Sequence, residues 1–188
     1  MNDNIEKLDS YHMLSAWILS QQSKCCSKKV GAILVKDDRI LSSGYNGTLK
    51  GRENCKDYCS HKKWTTNDGT NLLEKFRQDH RNWSRLNEYH AEANVLDNAN
   101  RHGVSPSGGT LYVTISPCED CCKRIISMGI RRVVYTKDYD FSHKGWIKHL
   151  EEHGVIVDKI NLSTLQEEFK YINVSAFEYD MVINDEEK

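Results

Sequence analysis

No run of residues is long and apolar enough to span a bilayer, which removes membrane-spanning proteins from the reading. The opening residues, 1–20, lack a basic stretch and a small-residue cleavage site. No export signal is read there, and a cytoplasmic location is expected. An excess of one charge is also missing: 26 Lys and Arg stand against 27 Asp and Glu, a net charge of −1. Proteins that wrap a long nucleic acid usually carry a basic excess, so that class is disfavoured. A local basic patch for one phosphate or triphosphate stays compatible. Internal repeats and low-complexity linkers are absent too. The cysteine count, seven, is odd, which argues against a secreted disulfide framework.

What is present fits one soluble globular domain over residues 1–188, with 38% hydrophobic and 28% charged residues. Apolar positions at helical spacing predict a first helix over 8–23. Val30–Val35 and Ile40–Tyr45, joined by the polar turn Lys36-Asp37-Asp38-Arg39, predict an antiparallel hairpin. Residues 46–87 are polar and read as an irregular insertion, too long for an ordinary loop. Beyond it the pattern alternates: helix from His90 to Arg101, strand Thr110–Ile115, helix Cys118–Met128 with Pro117 at its first turn. Strand Arg132–Tyr135, helix Trp146–His153 and strand Val155–Val157 follow. That order predicts an α/β fold, a mixed sheet with helices on both faces. The last residues, 184–188, read as a charged, frayed tail.

Clustered cysteines in a reducing compartment point to metal or redox chemistry, and eight histidines strengthen the metal reading. Two segments carry it: His90-Ala91-Glu92 and Ser116-Pro117-Cys118-Glu119-Asp120-Cys121. Catalytic zinc takes three nitrogen or thiolate ligands and keeps one position for water. Cys-x-x-Cys at a helix start aims two sulfurs one way, and the helix N-terminus favours thiolates. His90 can supply the nitrogen. Glu92, two residues on, can reach water without binding the metal, where a proton shuttle must sit. A structural knuckle or a redox pair would explain Cys-x-x-Cys alone, but neither needs Glu92. The combination H-x-E with P-C-x-x-C is the zinc deaminase signature. Cys122 is expected to face the core.

Further motifs narrow the match: CCSKKVGAILV at the first strand, Gly44-Tyr45-Asn46-Gly47, and His90-Ala91-Glu92-Ala93-Asn94. Over roughly residues 10–160 the chain resembles the deoxycytidylate (dCMP) deaminase family, with an insertion most like that of its bacteriophage members. The resemblance implies the cytidine-deaminase-like three-layer α/β/α sandwich with a five-stranded mixed sheet. It implies zinc-dependent conversion of dCMP to dUMP and ammonia, supplying thymidylate synthesis. Zinc would sit at His90, Cys118 and Cys121, with Glu92 moving protons. Asn46 would reach the sugar hydroxyl, though Asn-Gly is also a plain turn dipeptide. Ser27, Lys28 and Lys29 are candidates for the phosphate, or else solvated surface residues. Ala91, Ser116, Pro117 and Tyr139 would border the base.

The resemblance also implies a homohexamer in the cytoplasm, of the host if the source is a phage. Such an enzyme is activated by dCTP with Mg²⁺ and inhibited by dTTP, with Gly44, Tyr45, Gly47 and Arg101 near effectors or subunit contacts. A second, structural zinc would use Cys25, Cys55, His80 and Glu88 and staple the insertion, about 46–88. Cys26, Cys59 and His61 compete for that ion. No membrane or nucleic-acid partner is expected. A tRNA or single-strand deaminase, a pterin or riboflavin-precursor deaminase, and a non-catalytic zinc-stapled module stay as alternatives.

Overall fold

The computed structural model describes residues 3–69, 71–139 and 145–169; the tail at 184–188 lies outside them. Helix α1 spans Asp3–Ser20. Strands β1 (Gly31–Lys36) and β2 (Arg39–Tyr45) form the expected hairpin. Asp37 and Asp38 both take positive φ, 50° and 57°. Two such residues make the tight turn whose twist matches that of the paired strands. After the insertion come α4 (Ala91–Arg101), β5 (Thr110–Ile115), α5 (Glu119–Ser127) and β6 (Arg132–Lys137). Then follow α6 (Gly145–Glu152), β7 (Ile156–Lys159) and α7 (Leu162–Phe169). Five strands pair in the order β2-β1-β5-β6-β7. β1 is antiparallel to both neighbours, while β5, β6 and β7 run parallel.

Alternation along the strands divides the core. In β1, Ala32 and Leu34 face a layer that includes Val95, Leu96, Ile125 and Leu150 of α4, α5 and α6. Ile33 and Val35 face the other way, toward Met13 and Ala16 of α1 and Leu165 of α7. Successive strand side chains point to opposite faces, so an apolar run buried on both sides specifies a three-layer sandwich. Gly31 is required where α1 crosses β1: a Cβ there would lie 2.0 Å from the Ala16 carbonyl oxygen.

Several predicted boundaries move. α1 starts at Asp3, where polar residues give no apolar period. It ends at Ser20 because the N–H groups of Gln21, Gln22 and Ser23 donate three residues back, to Ile18, Leu19 and Ser20. Those tightened turns cannot continue an α-helix. Pro117 lies outside α5: Cys118 is the N-cap, with extended ψ of 175°. α7 was not predicted, and the last strand runs past Val157 to Lys159.

The largest difference is the insertion. It is not irregular. It contains β3 (Gly47–Thr48), α2 (Cys55–His61), a 3-10 turn (Glu74–Phe76), α3 (Arg77–Asn87) and β4 (Glu88–Tyr89). β3 and β4 pair antiparallel, Gly47 with Tyr89 and Thr48 with Glu88, so the insertion leaves and returns at one point. Its apolar content is slight: Tyr58 stacks on Trp83 at 4.5 Å and meets Trp64 edge-on at 5.6 Å. Beside these rings lie Cys25, Cys55 and Cys59, all buried.

Candidate active site and metal centres

The first donor group is made by two helix starts. His90 is the N-cap of α4 and Cys118 the N-cap of α5. Each cap carbonyl accepts the first helical hydrogen bond, from Asn94 N–H and Cys122 N–H, both at 2.9 Å. Neither side chain serves as a helix cap, and both aim at a common point. His90 Nδ1 lies 3.4 Å from Cys118 Sγ and 3.5 Å from Cys121 Sγ. Strand β5 connects the helices: α4 runs away from the site, β5 returns, and α5 starts where β5 ends.

The helices are also pinned laterally. Arg124 of α5 donates to Asp97 of α4 at 2.7 Å and to the hydroxyl of Tyr89 at 2.6 Å, and Tyr89 donates to the same Asp97 carboxylate. Tyr89 directly precedes His90, so this network ties both halves of the donor group together. Gly44 makes room for α4: a Cβ there would lie 3.1 Å from Asn94 Cβ.

These donors perturb each other strongly. Chiefly through Cys121, the Cys118 thiol is drawn down to about 4. Hydrogen bonding to Cys118 raises His90 to about 9, and the Cys121 thiol is pushed up by Cys118. One imidazole and two thiols at such spacing suit zinc, which a thiolate and nitrogen set binds with a coordination position to spare. Glu92, in the first turn of α4, is buried, and burial raises its pKa above the usual carboxylate value. A carboxyl so placed, beside the His90 and Cys118 donors, is suited to moving protons. Cys122 lies in the core at 0% exposure, with its thiol pointing to the Pro117 carbonyl at 4.0 Å.

One pocket opens onto this group. Ser27, Lys28, Asn46, Ala91, Ser116 and Tyr139 line it together with His90, Glu92 and Cys118. Asn46 Oδ1 accepts from Val30 N–H at 2.8 Å, and its Nδ2 donates to the Lys28 carbonyl at 3.0 Å. An amide has further capacity, one hydrogen and lone pairs, so this anchoring leaves Asn46 able to bond a ligand. Lys28 Nζ sits over the Tyr139 ring, 4.5 Å from its centre. Ser116 Oγ accepts from the Tyr139 N–H at 2.8 Å. Pro117 is buried and does not line the pocket, and Lys29 is exposed and faces elsewhere. Tyr45 and Arg101 are exposed, while Gly47 belongs to β3.

Sequence reasoning missed the opposite wall. Arg77, Arg81 and Ser84 of α3 line the same pocket, with His80 and Glu88. Their spacing, 77, 80, 81, 84 and 88, is one face of a helix. That signal was present, but in polar residues rather than apolar ones.

The second donor group lies at the base of the insertion. Cys25, Cys55, His80 and Glu88 place their ligand atoms within 4.8 Å of one another, and so do Cys26, Cys55, Cys59 and His80. His61 is not among them; it is exposed and pairs with Glu53 at 2.6 Å. Glu88 Oε2 accepts from Ser84 Oγ at 2.6 Å, whereas its buried Oε1 has no partner among the described residues. An unpaired buried carboxylate oxygen costs free energy that a cation would recover, so the residues fit a metal here as well.

Comparison with known proteins agrees with this architecture. Residues 6–137 match the profile of the cytidine and deoxycytidylate deaminase zinc-binding region. The deoxycytidylate deaminase of Enterobacteria phage T4 is 40% identical over 182 residues, 86% of this chain and 94% of that one. The phage T2 deoxycytidylate deaminase is 39% identical over 175 residues, covering 81% and 93%. The dCMP deaminase from cyanophage S-TIM5, solved in complex with dCMP and dUMP, shares the fold with a TM-score of 0.63. It is 32% identical and covers 85% of this chain and 99% of that one. Fold, donor geometry and similarity over most of the length agree: the chain belongs to the deoxycytidylate deaminase family.

Proposed function

We propose that this protein catalyses the hydrolytic deamination of dCMP to dUMP and ammonia. One observation carries the reading: two helix N-termini bring His90, Cys118 and Cys121 together beside buried Glu92, inside a pocket with cationic side chains on its rim. His90, Cys118 and Cys121 would hold zinc, which when bound makes a water nucleophilic near neutral pH. Glu92 takes a proton from the attacking water and passes it to ring N3. As the C4–O bond forms and the C4–N bond breaks, Glu92 delivers the second proton to the departing amine. Ala91 and Ser116 border the base, Tyr139 walls it, and Asn46 bonds the sugar hydroxyl.

Monophosphate preference is assigned to Lys28, Arg77 and Arg81, the pocket's cationic residues, with Ser27 and Ser84 as neutral donors. A near-neutral chain with three cationic side chains lining this pocket suits a single nucleotide better than a polymer. A second zinc, with Cys25, Cys55, His80 and Glu88 as one competent set, fastens the insertion and thereby α3 and its arginines. Regulation follows family resemblance: activation by dCTP with Mg²⁺, inhibition by dTTP and a homohexamer, with Gly44, Tyr45, Gly47 and Arg101 near those contacts. The role would be dUMP supply for thymidylate synthesis in the cytoplasm.

The test is loss of cytosine absorbance with dCMP, deoxycytidine and a short single-stranded DNA run side by side. Turnover of dCMP well above the other two is expected. Preference for the oligonucleotide would transfer the protein to the nucleic-acid deaminases. Absence of turnover from folded, zinc-loaded protein would end the enzymatic reading.

A further inference from the structure

The insertion and the Cys25-Cys26 pair that precedes it hold more donors than one ion needs. Six side chains form two sets of four that share Cys55 and His80. Cys25 and Glu88 complete one, and Cys26 and Cys59 the other. Around a tetrahedral zinc, donor atoms lie about 3.3–3.8 Å apart. Cys55 Sγ is 3.2 Å from His80 Nε2, 3.7 Å from Cys26 Sγ and 3.9 Å from Cys59 Sγ. Cys25 Sγ is 3.5 Å from Glu88 Oε2 and 3.9 Å from His80 Nε2. Spacing does not choose between the sets.

Charge does not choose either. Two thiolates with a carboxylate, or three thiolates, each set the same negative charge against a divalent cation, with a neutral imidazole in both. The Cys26 N–H points at Cys55 Sγ at 3.5 Å, supporting a thiolate on the sulfur that both sets use. What differs is position. Cys25 and Glu88 line the nucleotide pocket and Cys26 and Cys59 do not. Cys59 is fully buried in the cluster that Trp64 and Trp83 pack against.

We propose that the structural ion has two seats: a pocket-side seat completed by Cys25 and Glu88, and an inner seat completed by Cys26 and Cys59. Cys55 and His80 serve both, so the ion passes between seats by exchanging two ligands while two stay bound. This rests on the reading that the insertion binds a metal at all. Its consequence is redundancy: either completing pair can be deleted without loss of the ion.

The experiment measures zinc per chain in full-length protein desalted after exposure to a weak chelator. The paired variants C25S/E88Q and C26S/C59S each delete one seat, and both are expected to keep the wild-type zinc content. The crossed variant C25S/C59S deletes a ligand from each seat and is expected to lose half the zinc. After replacement of zinc by Co²⁺, thiolate-to-cobalt absorption should be stronger in C25S/E88Q, which retains three thiolates, than in C26S/C59S, which retains two. If one paired variant loses half its zinc or fails to fold while the other keeps both, there is a single seat and the proposal is overturned. Equal Co²⁺ absorption in the two paired variants, or full zinc in the crossed one, overturns it too. Wild-type protein carrying only the zinc of the His90 group would instead sink the underlying second-metal reading.

Discussion

The two donor groups solve opposite problems. At His90, Cys118 and Cys121, three donors stand on helices braced by the main core, with Val95, Leu96 and Ile125 all at 0% exposure. The core there is packed by side chains alone, and the donors are few and leave room for water. At Cys25, Cys26, Cys55, Cys59, His80 and Glu88, donors abound and the surrounding segment has little apolar substance beyond a few aromatic rings. There an ion would take the place of a core. The first arrangement is suited to using a metal, the second to being held together by one.

The comparison can be broken at several points. Replacing Glu92 by Gln should lower kcat by about 10²–10⁴-fold, the usual contribution of a positioned acid–base group, with zinc content unchanged. Parallel assays of turnover and metal content check it; an active variant would remove Glu92 from the mechanism. Replacing Arg77 and Arg81 together by Ala should raise KM for dCMP by about 10–100-fold and leave deoxycytidine kinetics alone. Equal damage to both substrates would mean that α3 merely shapes the pocket.

Replacing Cys55 by Ala removes a donor common to both insertion sets. Proteolytic cleavage within residues 46–88 should then accelerate roughly tenfold or more, because metal binding and local folding are the same free energy. Unchanged protease resistance would show that the aromatic rings suffice. The smallest effect is expected at Arg124→Ala. The ion pair with Asp97 is one-third exposed on each side, so its loss should cost about 1 kcal/mol in denaturant unfolding. A much larger loss would mean that the α4–α5 contact depends on this network.

Legibility followed the same division. His90, Glu92, Cys118 and Cys121 were readable because each pair lies within one helical turn, and helix-start geometry fixes where the side chains go. The sheet was readable too, since β1, β5 and β6 alternate between two buried faces. Arg77 and Arg81 were hidden although their spacing is helical. In α3 only Trp83 and Leu86 carry apolar weight, so the period runs through polar residues, where helical patterns are seldom sought. The ligands of the insertion were harder still. Cys25 to Glu88 spans 63 positions, and no local rule decides which of four sulfurs come together across such a distance.

The out-and-back path of α4 and β5 has a practical consequence for protein engineering. α4 carries the chain about 16 Å from His90 at 1.5 Å per residue. The turn at 102–109 therefore sits at the far pole, with His102 and Gly103 exposed and Gly103 at φ 72°. A fluorescent reporter or purification peptide spliced there would sit a helix length from the His90, Cys118 and Cys121 donor group, on the side of the molecule where α4 ends at Arg101.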